Sequence, residues 1–541
     1  MSSPATFESF EKTLRELVER FAAGESGFLQ SSYDEAKLRQ DFLDPLFAAL
    51  GYDLGNRLGL IQSQREVEIE SRTMIAGRRK RADYLFRADT RDRFVCEAKK
   101  PYEVLDAKHA FQAKRYAWNK NLALAVLSDF EGLKIYVVAG KPTASDDVTW
   151  GLYRSWHFRE YAQHACELWD LLSRDAAAGG SIDRLLESLP KKPVGKGRAR
   201  QLWLIRPDRT RALDADFLNF LDEARRTLGS DLLAENDDPA LRESTRLNEA
   251  VQHILDRLLF LRICEDRDID IGTNLRLEVE NWRSAHPGIA PPRRRPVQRD
   301  LLAEEPPTAP WHGGRGLAAP RGSLWHRLVR HCRALDHRPA GLVPFFNGNL
   351  FKPHFSEELA VGDVWLAEFL DDIGDDESPY LFNVISVEIL GTIYERFLGK
   401  VIRPHGRGVT IEEKPEVRKA GGVYYTPRYI VDYIVEQTVG KLLADQPPEK
   451  TLALRLLDPA CGSGSFLIRV FERVCEHWQT WLLARPSARR RDWCWTDERT
   501  GDVHLTAALK RRILTANIYG VDLDPGAVEV TQLSLYLKML E

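Results

Sequence analysis

No stretch of this 541-residue chain holds the roughly 18 uninterrupted apolar residues that a membrane span requires. The first residues, MSSPATFESFEKTLRELVERF, lack the apolar centre of a signal peptide and read as an amphipathic helix broken by Glu, Lys and Arg. Cysteine is sparse and scattered. Cys96, Cys166, Cys264, Cys332, Cys461, Cys475 and Cys494 form no CxxC pair, so neither a disulfide framework nor a zinc site is indicated. One-sided charge is missing too: a net charge of −3 exerts no global pull toward nucleic acid. Basic runs at 78–81, 293–295 and 489–491 could meet phosphates locally, but such runs are more often solvated loops. These absences leave a cytoplasmic protein of ordinary composition, 43% hydrophobic and 29% charged.

The length exceeds what one hydrophobic core supports and suggests three or four domains. Residues 1–170 mix helix and strand patterns. Residues 171–210 read as a linker, because LPKKPVGKGRAR (189–200) has the Pro/Gly/Lys composition of solvated chain. A connector over 211–400 is helical: in NEAVQHILDRLLFLRICEDRD, Val251, Leu255, Leu258, Leu259 and Ile263 recur near helical spacing. Inside it, 286–322 has no usable periodicity and reads as a long flexible insertion or as the product of a disturbed reading frame. VISVEILGTIYERFLGKVI (384–402) is a further helix pattern. Over 401–541, most clearly after about 420, helix and strand patterns alternate as in a layered α/β domain. The expected fold class is multidomain α/β.

The most specific segment is Leu456-Leu457-Asp458-Pro459-Ala460-Cys461-Gly462-Ser463-Gly464-Ser465-Phe466. A short apolar strand enters a Gly/Ser turn, and a helix beginning FLIRVFERVCEHW follows. Glycines there let the backbone approach a ligand, and the helix start offers unpaired N–H groups to it. Asn517-Ile518-Tyr519-Gly520-Val521-Asp522 reads as a second strand ending in an acid, suited to accept the ribose hydroxyls of a nucleoside cofactor.

DPACGSGSF resembles motif I of the N6-adenine DNA methyltransferases, and GVDLDP resembles their motif II. Gly422-Val423-Tyr424-Tyr425-Thr426-Pro427, upstream, is similar to motif X in the order of the gamma class. A dehydrogenase is disfavoured, because GxGxxG is absent and motif X has no place in one. The resemblance implies a partial Rossmann-like domain that binds S-adenosylmethionine. Asp458, Ala460 and Gly462, with Gly464 in the same turn, would meet the amino-acid end of the cofactor. Asp522 would hold its ribose, and Tyr425, Thr426 and Pro427 would close over the methionine part. Asp524 is better read as the cap of the helix after it.

That family transfers the methyl group at Asn/Asp-Pro-Pro-Tyr/Phe, on a base extruded from the duplex. The Pro-Pro pairs here sit in APPRR, EPPTA and QPPEK, and none fits. The expectation is a chain that holds two strands of the catalytic sheet and needs a missing part, or a separate chain that carries it, for methylation and target recognition.

Arg81-Ala82-Asp83-Tyr84-Leu85-Phe86 and Arg93-Phe94-Val95-Cys96-Glu97-Ala98-Lys99-Lys100 read as consecutive strands. Glu97 and Lys99 share a face, and Asp83 could come alongside. Asp83 and Glu97 could hold Mg²⁺, whose bound water attacks a phosphodiester while Lys99 orients it. The pattern resembles the PD-(D/E)XK nucleases, with Ala82 in the proline position. On the helix that follows, Gln112 and Tyr116 lie one turn apart, similar to the QxxxY motif of restriction subunits. Glu35 or Asp41 could add an acid, although a solvated helix face is the blander reading. His109 reads as a surface helix residue, and Tyr84 and Phe86 as core.

A restriction-endonuclease-like domain, a helical connector and a gamma-type methyltransferase together resemble the type IIG and IIL restriction–modification enzymes and related phage-defence methylases. The resemblance implies double-stranded DNA as substrate, with both methylation and cleavage. A cofactor-gated DNA-binding subunit, or a restriction nuclease with a vestigial methylase, remains the alternative.

Overall fold

The computed structural model describes residues 5–69, 82–189, 213–267, 269, 274–287, 323–337, 349–414 and 426–540, less gaps at 375, 388, 392, 394–398, 407, 445 and 498–500. Most of the expected linker and insertion, two of the three basic runs and Tyr425 therefore lie outside the described residues. The fold is mixed α/β and divides into two compact units. One comprises Met1–Leu213 with Thr496–Val503, the other Asp214–Trp495 with His504–Glu541.

The first unit opens with α1 (Phe7–Phe28), whose start is fixed by a reciprocal Thr6–Ser9 capping box. Phe10, Leu14, Leu17 and Phe21 recur on one face of α1 and are buried. Asp34 then caps α2 (Glu35–Leu38), which runs through a π-helical turn, Arg39–Leu43, into α3 (Asp44–Ala49). The sheet has six strands in sequential order: β1 (Val67–Ile69), β2 (Tyr84–Ala88), β3 (Arg91–Ala98), β4 (Leu124–Ser128), β5 (Gly132–Val137) and β6 (Leu152–His157). Asp89 and Thr90 turn β2 into β3 with φ of 51° and 62°, as a twisted two-residue hairpin requires. β3 and β4 are parallel and α4 (Ala107–Asn119) makes the crossover; every other pair is antiparallel. The core continues past residue 170. Leu171 and Leu172 on α5 (Ala165–Leu172) belong to it, as do Ile182 and Leu185 on α7 (Ser181–Ser188), which follows the short α6 (Arg174–Ala178).

In the second unit the helical connector holds α8 (Leu213–Glu235), α9 (Ser244–Asp266), α10 (Leu275–Ala285), α11 (Ser323–His337) and α12 (Asp363–Gly374). The five apolar residues read as one face of α9 are all buried, and so are Leu247, Ile254 and Phe260, so this helix is enclosed on most sides. The helix expected over 384–402 is cut short. Residues 389–391 are helical, but Lys400–His405 form β7, paired antiparallel with β8 (Gly408–Glu413). Pro404 supplies no N–H and pushes Arg403 to extended backbone, and Gly406 (φ 61°) turns the hairpin. Asn248 of α9 fastens it, donating to the Ile402 carbonyl (2.7 Å) and accepting from its N–H (2.8 Å).

After α13 (Arg428–Val435) come β9 (Leu456–Asp458), α14 (Ser465–Ala484), a small β10–β11 hairpin (Cys494–Thr496, Val503–Leu505), α15 (Ala507–Asn517), β12 (Ile518–Gly520) and α16 (Pro525–Leu540). β9 and β12 are parallel neighbours, with Leu456 opposite Ile518 and Asp458 opposite Gly520. Among the described residues they pair only with each other. Leu457, Tyr519, Val521 and Leu523 stay exposed beside them.

Candidate active sites

In the β2–β3 pair Tyr84 stands opposite Cys96, so Asp83, one residue before β2, falls opposite Glu97 and leaves the sheet on the same face. Both are buried, at 3% and 1% exposure, so the pair does not face an open cleft. The reason is local bonding. Asp83 Oδ2 accepts the Ala98 N–H at 2.8 Å, and its Oδ1 lies 3.4 Å from Arg39 Nη1. Lys99 Nζ donates to Glu97 Oε1 at 2.6 Å. Glu97 Oε2 is buried with no hydrogen-bond partner, a situation that costs about 1–3 kcal/mol and calls for a reason.

Electrostatics tie a further acid to this cluster. Burial, then the Asp83 carboxylate, push Glu97 up to about 8 against the pull of Lys99, and Glu35 adds to the rise. Asp83 is raised by burial and by Glu35, opposed by Lys99, the Ala98 N–H and Arg39. Burial would lower Lys99, but Glu97 outweighs it and holds the ammonium protonated. Glu35, the first residue of α2, is 4% exposed, so the solvated-face reading of this acid fails. Asp41 is engaged by the Tyr33 hydroxyl at 2.8 Å instead.

Arg39 was not singled out from the sequence. It stacks on the Tyr84 ring (4.7 Å) and donates to the Tyr84 hydroxyl (3.2 Å), which itself donates to Asp44 Oδ1 (2.6 Å). Its spacing of four from Glu35 was the available signal. Gln112, half-buried, and Tyr116, buried, lie on α4, which packs against β3 and β4. His109 sets its Nδ1 3.1 Å from the Val104 carbonyl at the helix start, while Tyr84 and Phe86 are core. Among the described residues no group of three or more His, Cys, Asp or Glu side chains forms a ready metal cage. A Mg²⁺ ion here would rest on Asp83 and Glu97, water and phosphate oxygens, a donor set that suits it. The orphaned Glu97 oxygen fits that role.

The second site forms where β9 and β12 end. Gly462 (φ 51°) and Gly464 (φ 86°) take left-handed conformations that bring the chain round into α14. Gly464 is the N-cap of this 20-residue helix and supplies no side-chain cap, so the first-turn N–H groups are available to a ligand. Asp458 Oδ1 accepts the exposed Ala460 N–H at 3.1 Å. Asp522 Oδ2 accepts the Gly462 N–H (2.9 Å) and Oδ1 the Asp524 N–H (2.9 Å), leaving each oxygen a lone pair for a hydroxyl donor. Asp524 accepts the Gly526 N–H at 2.9 Å, as a cap of α16 does. Thr426 and Pro427 lead into α13, and Arg469 (to Asp432 of α13, 2.7 Å) and Arg473 (to Glu436 just after it, 2.8 Å) fasten this segment to α14. Uncapped helix start, two strand-end acids and a glycine turn together fit an S-adenosylmethionine site.

Residues 386–541 match the family model described as N-6 DNA Methylase. Over nearly its whole length the chain is similar to a restriction–modification enzyme. The type II restriction enzyme and methyltransferase RM.Eco57I of Escherichia coli is 26% identical over 536 residues, 98% of this chain and 46% of that protein. The adenine-specific methyltransferase BrxX of Escherichia coli O9:H4 (strain HS) is 23% identical over 249 residues, 39% of this chain and 18% of its own length. The chain thus spans less than half the length of these curated relatives. The solved structure titled "cryoEM structure DrdV-DNA complex" aligns with 99% of this chain and 38% of that one, at 14% identity and a TM-score of 0.29.

Proposed function

We propose that this chain is the cofactor-binding and nuclease portion of an adenine-N6 DNA methyltransferase of a restriction–modification or phage-defence system, acting on double-stranded DNA in the cytoplasm. In this reading the second unit contains part of a Rossmann-like domain and binds S-adenosylmethionine. The observation that carries it is the 458–464 turn, set at the carboxyl ends of two parallel strands and opening an uncapped helix. Bound there, the cofactor supplies the electrophilic methyl group. Asp458, Ala460, Gly462 and Gly464 orient its amino-acid end, Asp522 its ribose, and Tyr425, Thr426 and Pro427 its methionine part. Calorimetry with S-adenosylmethionine tests this. Asp522→Asn, which keeps the size but not the charge, is expected to weaken binding by about 1.5–3 kcal/mol. A folded wild-type chain that takes up no cofactor would defeat the reading.

The first unit, read as restriction-endonuclease-like, would carry a Mg²⁺-dependent phosphodiesterase. The unpartnered Glu97 oxygen opposite Asp83 favours it. Asp83 and Glu97 would hold the ion, whose chemistry is to activate water against a phosphodiester. Lys99 would hold its proton beside Glu97, and Gln112 and Tyr116 on α4 would complete the catalytic set. Without an Asn/Asp-Pro-Pro-aromatic segment, the chain by itself is expected to transfer no methyl group. Labelled methyl transfer to adenine by the purified chain, abolished by Asp458→Ala, would contradict this.

A further inference from the structure

Left-handed backbone at two of three successive residues is not held by a loop alone, because even glycine samples many other conformations. In the 458–464 turn the peptide groups on both sides of Gly462 are gripped by side chains that follow β12. The Gly462 N–H donates to Asp522 Oδ2 at 2.9 Å, and the Gly462 carbonyl accepts from Thr531 Oγ1 at 2.7 Å. Thr531 sits on α16 and is 4% exposed, so water competes little for that bond. The same side chain closes the space beside Gly464. A Cβ there would lie 2.7 Å from Thr531 Cγ2 and 2.9 Å from Oγ1, closer than atoms can approach.

We infer that Thr531 is a positioning residue for the S-adenosylmethionine turn. Its hydroxyl fixes the Gly462 peptide plane and thereby the direction of the N–H groups offered to the cofactor. Its methyl group seats Gly464 at the start of α14. The inference rests on the cofactor reading of this turn and adds a determinant from outside motifs X, I and II.

The test compares two variants of the full chain by cofactor calorimetry and by amide hydrogen exchange over 460–466, well below the melting temperature. Thr531→Val keeps the branched shape and removes the hydroxyl; Thr531→Ser keeps the hydroxyl. Loss of one hydrogen bond predicts about three- to tenfold weaker S-adenosylmethionine binding in Thr531→Val. Faster exchange confined to the turn should accompany it, with both effects largely reversed in Thr531→Ser. Thr531→Val binding as tightly as wild type overturns the inference, and so does Thr531→Ser failing as badly as Thr531→Val. A wild-type chain that binds no cofactor overturns the reading of the site itself, a result distinct from either.

Discussion

A carboxylate oxygen buried without a partner is costly, and Glu97 Oε2 makes that measurable. Its carboxyl is pushed up to about 8 from an ordinary 4.5, first by burial and then by Asp83. A raised carboxyl binds its proton more tightly folded than unfolded. The stability it contributes is therefore complete below about 4.5 and is lost as pH rises through 8. Metal-free Glu97→Gln should consequently melt higher than wild type at pH 9, by at least about 4 °C, with the gap closing toward pH 5. Equal melting curves at pH 9 would show that the charge is already compensated. Mg²⁺ must displace the same proton, so its calorimetric affinity should climb with pH up to about 8 and then level off. Lys99→Ala removes the ammonium that donates to Glu97 Oε1, and in a cleavage assay it should lose turnover far more than metal affinity. Asp83, Glu97 and Lys99 were singled out in the sequence because strand alternation puts Glu97 and Lys99 on one face, while the Asp89-Thr90 turn that sets Asp83 opposite Glu97 is seen only in the structure. Arg39 and the burial of Glu35 were not legible, since a spacing of four is common on solvated helices and only the packing in the fold buries this face.

Elements show the same division. β9, the turn and α14 could be read from composition, because apolar run, glycines and amphipathic helix each leave a local trace. The β7–β8 hairpin could not. Its residues continue an apolar helical pattern, and only Pro404 and the Gly406 turn overrule it. Thr531 lay unnoticed in a helix for a related reason: its partner, the Gly462 carbonyl, is 69 residues away in the chain. The turn itself is the most sensitive element. Gly464→Ala would impose a left-handed non-glycine residue, at about 1–2 kcal/mol, and add a collision with Thr531. It should abolish cofactor binding in calorimetry. Ala460→Gly, by contrast, is exposed and should keep most of it.

At the scale of the whole chain, two compact units, each with its own proposed ligand, predict two separable responses to heat. Mg²⁺ should raise the transition of the unit bearing Glu97, and S-adenosylmethionine that of the unit bearing Asp522, each by mass action on its own folded form. A scan in which either ligand moves both transitions equally would argue for one cooperative block. The similarity to RM.Eco57I reaches 98% of this chain, whereas the proposed order nuclease, connector, methylase rests on the sequence motifs. The placement of the chain's polar networks was not legible in those motifs. One feature of the second unit bears on handling rather than chemistry. Leu457 (61% exposed), Tyr519 (41%) and Val521 (56%) form an oily strip beside a two-stranded sheet. A strip of this kind adsorbs reporter dyes, salts out early and lets molecules stick strand to strand. Solutions of this chain should therefore brighten anilinonaphthalene sulfonate while fully folded and scatter light increasingly with concentration, and Leu457→Lys should quiet both signals.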